Sequence, residues 1–266
     1  MVRSIEIPWG AWTGGDETRI LEFPNSWDVH LFDMPDTKDI TSTQAIESAL
    51  TNPIGTPTIQ ELALGKTSAV IVVEDTSRPS KCSLICETIL RELNSAGISN
   101  SNITIIGAIG AHRPMTRSDY IKKVGKNVVN QVNIENHHPY ENLIELGKSS
   151  MGTPIFLNKT YFEADVKIAV GTVIPHPLAG FGGGAKIVLP GICGIETLAA
   201  NHEKGLEGEG IGIGEITELR RDIEEVCERS GGLDFSINVI ATKFRGIAGI
   251  FAGHFIDAHR KAIELA

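Results

Sequence analysis

Three short apolar runs constrain the fold more than any other feature of the chain. Ala69 to Val73, Ile103 to Ile106 and Val166 to Val173 are near-continuous stretches dominated by β-branched residues. Strands that read this way are buried on both faces, as they are when helices cover a parallel sheet on either side. Between the first two runs, Ser80 to Ala96 carries Cys82, Ile85, Cys86, Ile89, Leu90 and Leu93 at alternating steps of three and one, with Gly97 behind them. That spacing predicts an amphipathic helix ending at a glycine. Strands alternating with helices predict an α/β fold, with a mostly parallel, Rossmann-like sheet flanked by helices. Each run ends in a polar cluster: Glu74 to Pro79 after the first, Gly107 to Pro114 after the second, and His176 just after the third. Ligands of open parallel sheets bind outside the carboxyl ends of the strands, so the three clusters are expected to converge.

The remaining segments fill in around this sheet. Ile5 to Pro8, the turn-rich Gly10 to Asp16, Arg19 to Phe23 and Trp27 to Phe32 read as a short β-rich N-terminal arm. Further helices are expected over Thr41 to Leu50, Ile59 to Leu64, Thr116 to Val124, Ile195 to Glu203, Glu215 to Arg229 and from Asp257 to the end. In the fifth of these, Ile216, Leu219, Ile223, Val226 and Cys227 share a face. Val132 to Glu135, Leu143 to Leu146, Pro154 to Leu157, Phe235 to Ala241 and Gly246 to Phe251 read as strands. The 266 residues are sized for a single α/β domain, 1–266.

A net charge of −9 argues against nucleic acid or an anionic membrane as partner. An anionic substrate would therefore need a local positive site. No apolar run has the length of a signal or a membrane span. Of the four cysteines none forms Cys-x-x-Cys, and Cys82 and Cys86 share a helix face, as buried thiols do. A reducing, cytoplasmic setting fits this usage.

The densest stretch is His176-Pro-Leu-Ala-Gly-Phe-Gly-Gly-Gly-Ala-Lys186. Gly182, Gly183 and Gly184 remove side chains where something must approach the backbone. It is not a nucleotide P-loop, because Lys186 follows alanine and precedes isoleucine. Lys186 suits a phosphate clamp or a covalent attachment point. His112 and His176, at two strand ends, suit proton transfer, whereas His30, His137, His138, His254 and His259 read as exposed loop residues. Arg78 offers a planar fork to a carboxylate or phosphate. Asp75 could orient it or accept from a substrate hydroxyl, and a local Asp75–Arg78 pair is the structural alternative. Arg113 invites the same local reading more strongly. His202 could be a single metal ligand, short of the three or four that a protein-only site needs.

These motifs resemble those of the nickel-dependent lactate racemase family. Asp75-Thr76-Ser77-Arg78-Pro79 is similar to its Asp-x-Thr-Arg-Pro motif, with Ser77 in place of the usual threonine. Gly110-Ala111-His112-Arg113-Pro114 is similar to its Gly-x-His-Arg motif, and His176 to Gly191 to its longest signature. The resemblance runs from about Ile5 to Arg260. It implies racemisation or epimerisation of a small-molecule 2-hydroxy acid by reversible hydride transfer. The implied cofactor is a nickel pincer, pyridinium-3-thioamide-5-thiocarboxylic acid mononucleotide, made by dedicated cofactor-biosynthesis enzymes. By resemblance, Lys186 links to it covalently, His202 ligates nickel, and His112 and His176 act as alternate general bases. Asp75 and Arg78 would contact substrate, and Gly182, Gly183 and Gly184 would cradle the cofactor phosphate. The family also has a C-terminal α/β domain, expected to be absent from this chain. A non-catalytic cofactor- or phosphate-binding module and a NAD-dependent 2-hydroxy acid dehydrogenase are the competing readings.

Overall fold

The computed structural model describes residues 4–9, 17–32, 37–78, 80–205, 211–214 and 216–266. The expected turn at 10–16, Pro79 of the first motif and Glu215 lie outside the described residues. An antiparallel pair, β1 (Ser4–Trp9) and β2 (Glu17–Glu22), forms the N-terminal arm. Then come α1 (Thr43–Thr51), α2 (Ile59–Ala63), β3 (Ala69–Glu74), α3 (Ser83–Ser95), β4 (Ile103–Ala108), α4 (Arg117–Val124), α5 (Lys126–Val129) and β5 (Asn133–Asn136). A separate antiparallel hairpin, β6 (Leu143–Lys148) and β7 (Pro154–Asn158), leads through α6 (Lys159–Glu163) into β8 (Val166–Thr172). The glycine-rich stretch opens with the two-residue strands β9 (Pro175–His176) and β10 (Gly180–Phe181) and closes in a 3-10 turn, Gly184–Ile187. The chain ends with α7 (Ile195–Lys204), α8 (Glu218–Arg229), β11 (Phe235–Ala241), β12 (Ile247–Gly253) and α9 (Asp257–Ile263).

The main sheet has the order β12-β11-β8-β3-β4-β5, parallel throughout except for β12. In chain order its strands run 6-5-4-1-2-3, the doubly wound arrangement. Alternation within β3 separates the two faces. Ile71 and Val73 pack against α1, α2 and α3, while Val70 and Val72 pack against the layer containing Leu189, Ile223 and Val226. The strand order reverses between β3 and β8. A crevice opens at that point because the connections leave in opposite directions.

Several expectations are corrected. Trp27 to Phe32 joins no strand ladder. It follows a turn in which the Trp27 amide donates to the Pro24 carbonyl (3.0 Å), and Phe32 projects into solvent. The helix expected from Ser80 starts at Ser83, because the Ser80 hydroxyl is bonded to Glu74 and the Cys82 amide donates to the Lys123 carbonyl (2.8 Å). Thr217 caps α8 through the Arg220 amide (3.1 Å), which leaves Ile216 outside the helix and exposed. His137 and His259 are not exposed loop histidines: both are buried, on the carbonyls of Cys193 (2.9 Å) and Gly182 (2.7 Å) respectively.

Candidate active site

The crevice at the switch point is a cavity of about 250 Å³. Its walls bring together Asp75 and Arg78 from the β3 end, His112 from the β4 end, His176 and Lys186 from the stretch after β8, and His202 from α7. Gly182 and Gly183 also line it; Gly184 does not.

Glu74 builds the floor. This carboxylate closes an otherwise apolar strand and is buried with Lys123 at 3.1 Å. It accepts from the Thr172 amide (2.7 Å), the Thr172 hydroxyl (2.5 Å) and Ser80. Lys123 also donates to the Arg78 carbonyl (3.1 Å). One buried ion pair thereby ties the ends of β3 and β8 to α4 and to the Arg78 loop. The sequence carries a faint signal of it: Lys123 stands between Tyr120 and Val124 on the apolar face of α4, where a lysine requires an acid partner.

Asp75 stands behind His112. Its Oδ2 lies 2.6 Å from His112 Nδ1, and its Oδ1 accepts from the Ser77 amide (2.9 Å) and hydroxyl (2.5 Å). Burial pushes the carboxyl up, but the hydrogen bonds from Ser77 and His112 outweigh it, and its pKa falls below the ordinary value. Both oxygens are engaged, and the one facing His112 orients that ring, while Asp75 also lines the cavity. The local Asp75–Arg78 pair is not formed. Among the described residues Arg78 has no carboxylate partner, only weak contacts with Ser77 (3.3 and 3.4 Å). Arg113, in contrast, is a local pair with Asp119 at 2.9 Å.

His176 is held differently. Its Nδ1 accepts from the amides of Leu178 and Ala179, both at 3.2 Å. Burial, then the nearby charges of Lys186 and Arg78, push its pKa down to about 3. Lys186 has no side-chain hydrogen bond or ion pair among the described residues. Burial, Arg78 and Arg220 bring its ammonium down to about 7. In a chain of net charge −9, this cluster of Arg78, Lys186 and Arg220 is the local positive site that an anionic ligand needs. His202 Nδ1 donates to the Leu198 carbonyl (3.0 Å), which leaves Nε2 with its lone pair, the state in which imidazole binds a metal. Among the described residues no three His, Cys, Asp or Glu side chains are grouped to hold a metal, so an ion at His202 needs ligands from another source.

Contacts within the protein already require Gly182, Gly183 and Gly184 to be glycines. A Cβ on Gly182 would meet the Thr172 carbonyl at 2.9 Å, one on Gly183 would meet Val173 at 2.7 Å, and one on Gly184 the His259 ring at 2.9 Å. The Gly182 amide donates to the Ile174 carbonyl (2.8 Å) and the Gly184 amide to Asn238 Oδ1 (2.8 Å). Both amides are thus engaged within the protein. The loop is clamped from outside: buried Arg220 donates to the carbonyls of Ala179 (3.3 Å), Phe181 and Gly183 (3.3 Å), and His259 to that of Gly182. Arg220, Asn238 and His259 had no motif to reveal them.

The sequence model of the lactate racemase N-terminal domain matches residues 15–214. The chain belongs to the lactate racemase family. It is 33% identical over 226 residues to a lactate racemase of Lactiplantibacillus plantarum, covering 83% of this chain and 53% of that protein. It is 30% identical over 263 residues to a lactate racemase of Thermoanaerobacterium thermosaccharolyticum, covering 92% and 61%. The solved lactate racemase apoprotein from the latter organism superposes with a TM-score of 0.81 at 29% identity, over 98% of this chain and 61% of that one. A crystal structure of a Thermotoga maritima protein, at 24% identity and a TM-score of 0.70, shares the fold. This lactate racemase family chain thus spans between half and two thirds of the length of the curated relatives it matches. Among the described residues no helix is long and apolar enough to cross a membrane.

Proposed function

We propose that a protein carrying this chain racemises or epimerises a small 2-hydroxy acid of the lactate type, with Lys186 and His202 holding a nickel-pincer nucleotide. The observation that carries the reading is Lys186: a half-buried amine without a counter-ion among the described residues, open to a cavity whose other walls supply one free imidazole nitrogen and two further histidines. A buried lysine with a depressed pKa is a nucleophile at neutral pH, and nucleophilicity is what covalent attachment requires. The single free nitrogen of His202 fits a metal whose other ligands come from the cofactor. When bound, the nucleotide supplies a reversible acceptor for the substrate's C2 hydride.

The chain's own residues supply the rest. Arg78, with no carboxylate partner among the described residues, grips the substrate carboxylate with paired N–H donors. The hydroxyl proton moves to an imidazole, and Asp75 stabilises the cation that forms on His112. A non-catalytic binding module leaves the Asp75–His112 pair without a purpose, since binding requires no oriented base. The test is intact mass and peptide mapping of the chain co-expressed with cofactor-making enzymes, with nickel measured in parallel. The expected result is an adduct on the Lys186 peptide with about one nickel per chain, and in His202→Ala the adduct without the nickel. Stoichiometric nickel in cofactor-bearing His202→Ala, or an unmodified Lys186 in well-folded chain, contradicts the assignment.

A further inference from the structure

The two histidines of the cavity are held by opposite chemistry. Asp75 is a carboxylate, and a carboxylate only accepts; His112 Nδ1 at 2.6 Å must therefore carry a proton, and in the neutral ring Nε2 keeps a bare lone pair. The amides of Leu178 and Ala179 only donate; His176 Nδ1 must therefore be the lone-pair nitrogen, and in the neutral ring the proton sits on Nε2. We propose that His112 and His176 are locked in opposite tautomers in the substrate-free site, so that His112 is its resident base and His176 a hydrogen-bond donor. This rests on the hydroxy-acid reading above and revises the expectation of two equivalent bases.

The proton ledger makes the difference concrete. At His112 the substrate O–H bond breaks and an N–H bond forms at Nε2, giving an imidazolium whose Nδ1–H already points at Asp75. At His176 the same transfer has no place to go. Nε2 already bears hydrogen, and Nδ1 is faced by two N–H groups. Nor can His176 release Nε2–H without becoming an imidazolate. In this state it donates a hydrogen bond to the substrate oxygen and moves no proton. It becomes a base only after the ring surrenders both amide bonds and shifts its proton to Nδ1. The two enantiomers of a hydroxy acid would thus meet unequal starting sites, one ready and one requiring that rearrangement.

The experiment is long-range proton–nitrogen correlation NMR of the metal-free chain labelled with nitrogen-15 in its histidines, at a pH where both rings are neutral. His112→Gln and His176→Gln each delete one ring and so assign it. The expected spectrum has a protonated Nδ1 and unprotonated Nε2 in His112, and the reverse in His176. In Asp75→Ala, His112 should lose its preference while His176 keeps its own. Should that variant misfold, the wild-type spectrum alone decides. The same tautomer in both rings, Nδ1–H in His176, or an averaged signal in either ring overturns the proposal. No cofactor or turnover enters the measurement, so it fails or succeeds independently of the racemase reading.

Discussion

Lys186→Met should make the protein more stable, and by an amount that depends on pH. The wild-type ammonium has been taken from an ordinary pKa of 10.5 to about 7 by burial and by two neighbouring cations. At about 1.36 kcal/mol per tenfold change in proton affinity, the protonated side chain costs the folded state roughly 5 kcal/mol. The amine opens on a cavity that admits water, and this screening reduces the expectation to about 3 kcal/mol. Below pH 7 the whole cost is present, because folded and unfolded chains both carry the proton. Between pH 7 and 10.5 the folded amine is neutral while the unfolded one is still charged, so wild-type stability rises with pH relative to the methionine variant. Urea unfolding should therefore show Lys186→Met ahead by about 3 kcal/mol at pH 6.5 and by only about 1 kcal/mol at pH 9.5. A variant no more stable than wild type at pH 6.5, or a gap that is flat with pH, refutes the claim that this amine is held in a strained, deprotonation-prone state. A residue that weakens its own fold is retained for chemistry rather than for packing.

Two further predictions concern the groups that hold the site in shape. Glu74→Gln and Lys123→Met should each cost about 3–5 kcal/mol in urea unfolding, because each strands a buried partner, and the double variant should cost well below the sum of the two. Arg220→Met removes the donor to three loop carbonyls and should cost about 2–4 kcal/mol; hydrogen exchange at the Gly182 and Gly184 amides should quicken in it, while exchange in β3 stays slow.

The sheet was legible because its signal is local. Ala69 to Val73 and Val166 to Val173 are largely apolar on both faces, and a covered parallel sheet suits such runs. The convergence of Asp75, Arg78, His112 and His176 follows from those strands, since each lies just beyond a carboxyl end, whereas Lys186 and His202 join them through the family resemblance. What could not be read was long-range. Trp27 to Phe32 has strand-like composition, but strand formation depends on a ladder partner, and composition does not report one. His259 looked like one of several loop histidines; its burial is set by a carbonyl 77 positions away. The sequence of Gly182, Gly183 and Gly184 does not show that the atoms pressing on them belong to Thr172, Val173 and His259.

Motifs name residue types, but the reactive state of each type is fixed by neighbours outside the motif. Three imidazoles reach this cavity, and three different second partners set them apart. A carboxylate leaves His112 basic at Nε2, two amides leave His176 a donor there, and a helix carbonyl leaves His202 with a free lone pair. The same holds for the amine: desolvation, Arg78 and Arg220 bring the Lys186 pKa down, and Arg220 lies beyond residue 214, where the family match ends. A relative keeping every motif residue but losing Arg220 or Asp75 would keep the composition of the site and lose its protonation pattern. For that reason the positions to compare first among members of this family are the second partners, with the histidines and the lysine themselves after them.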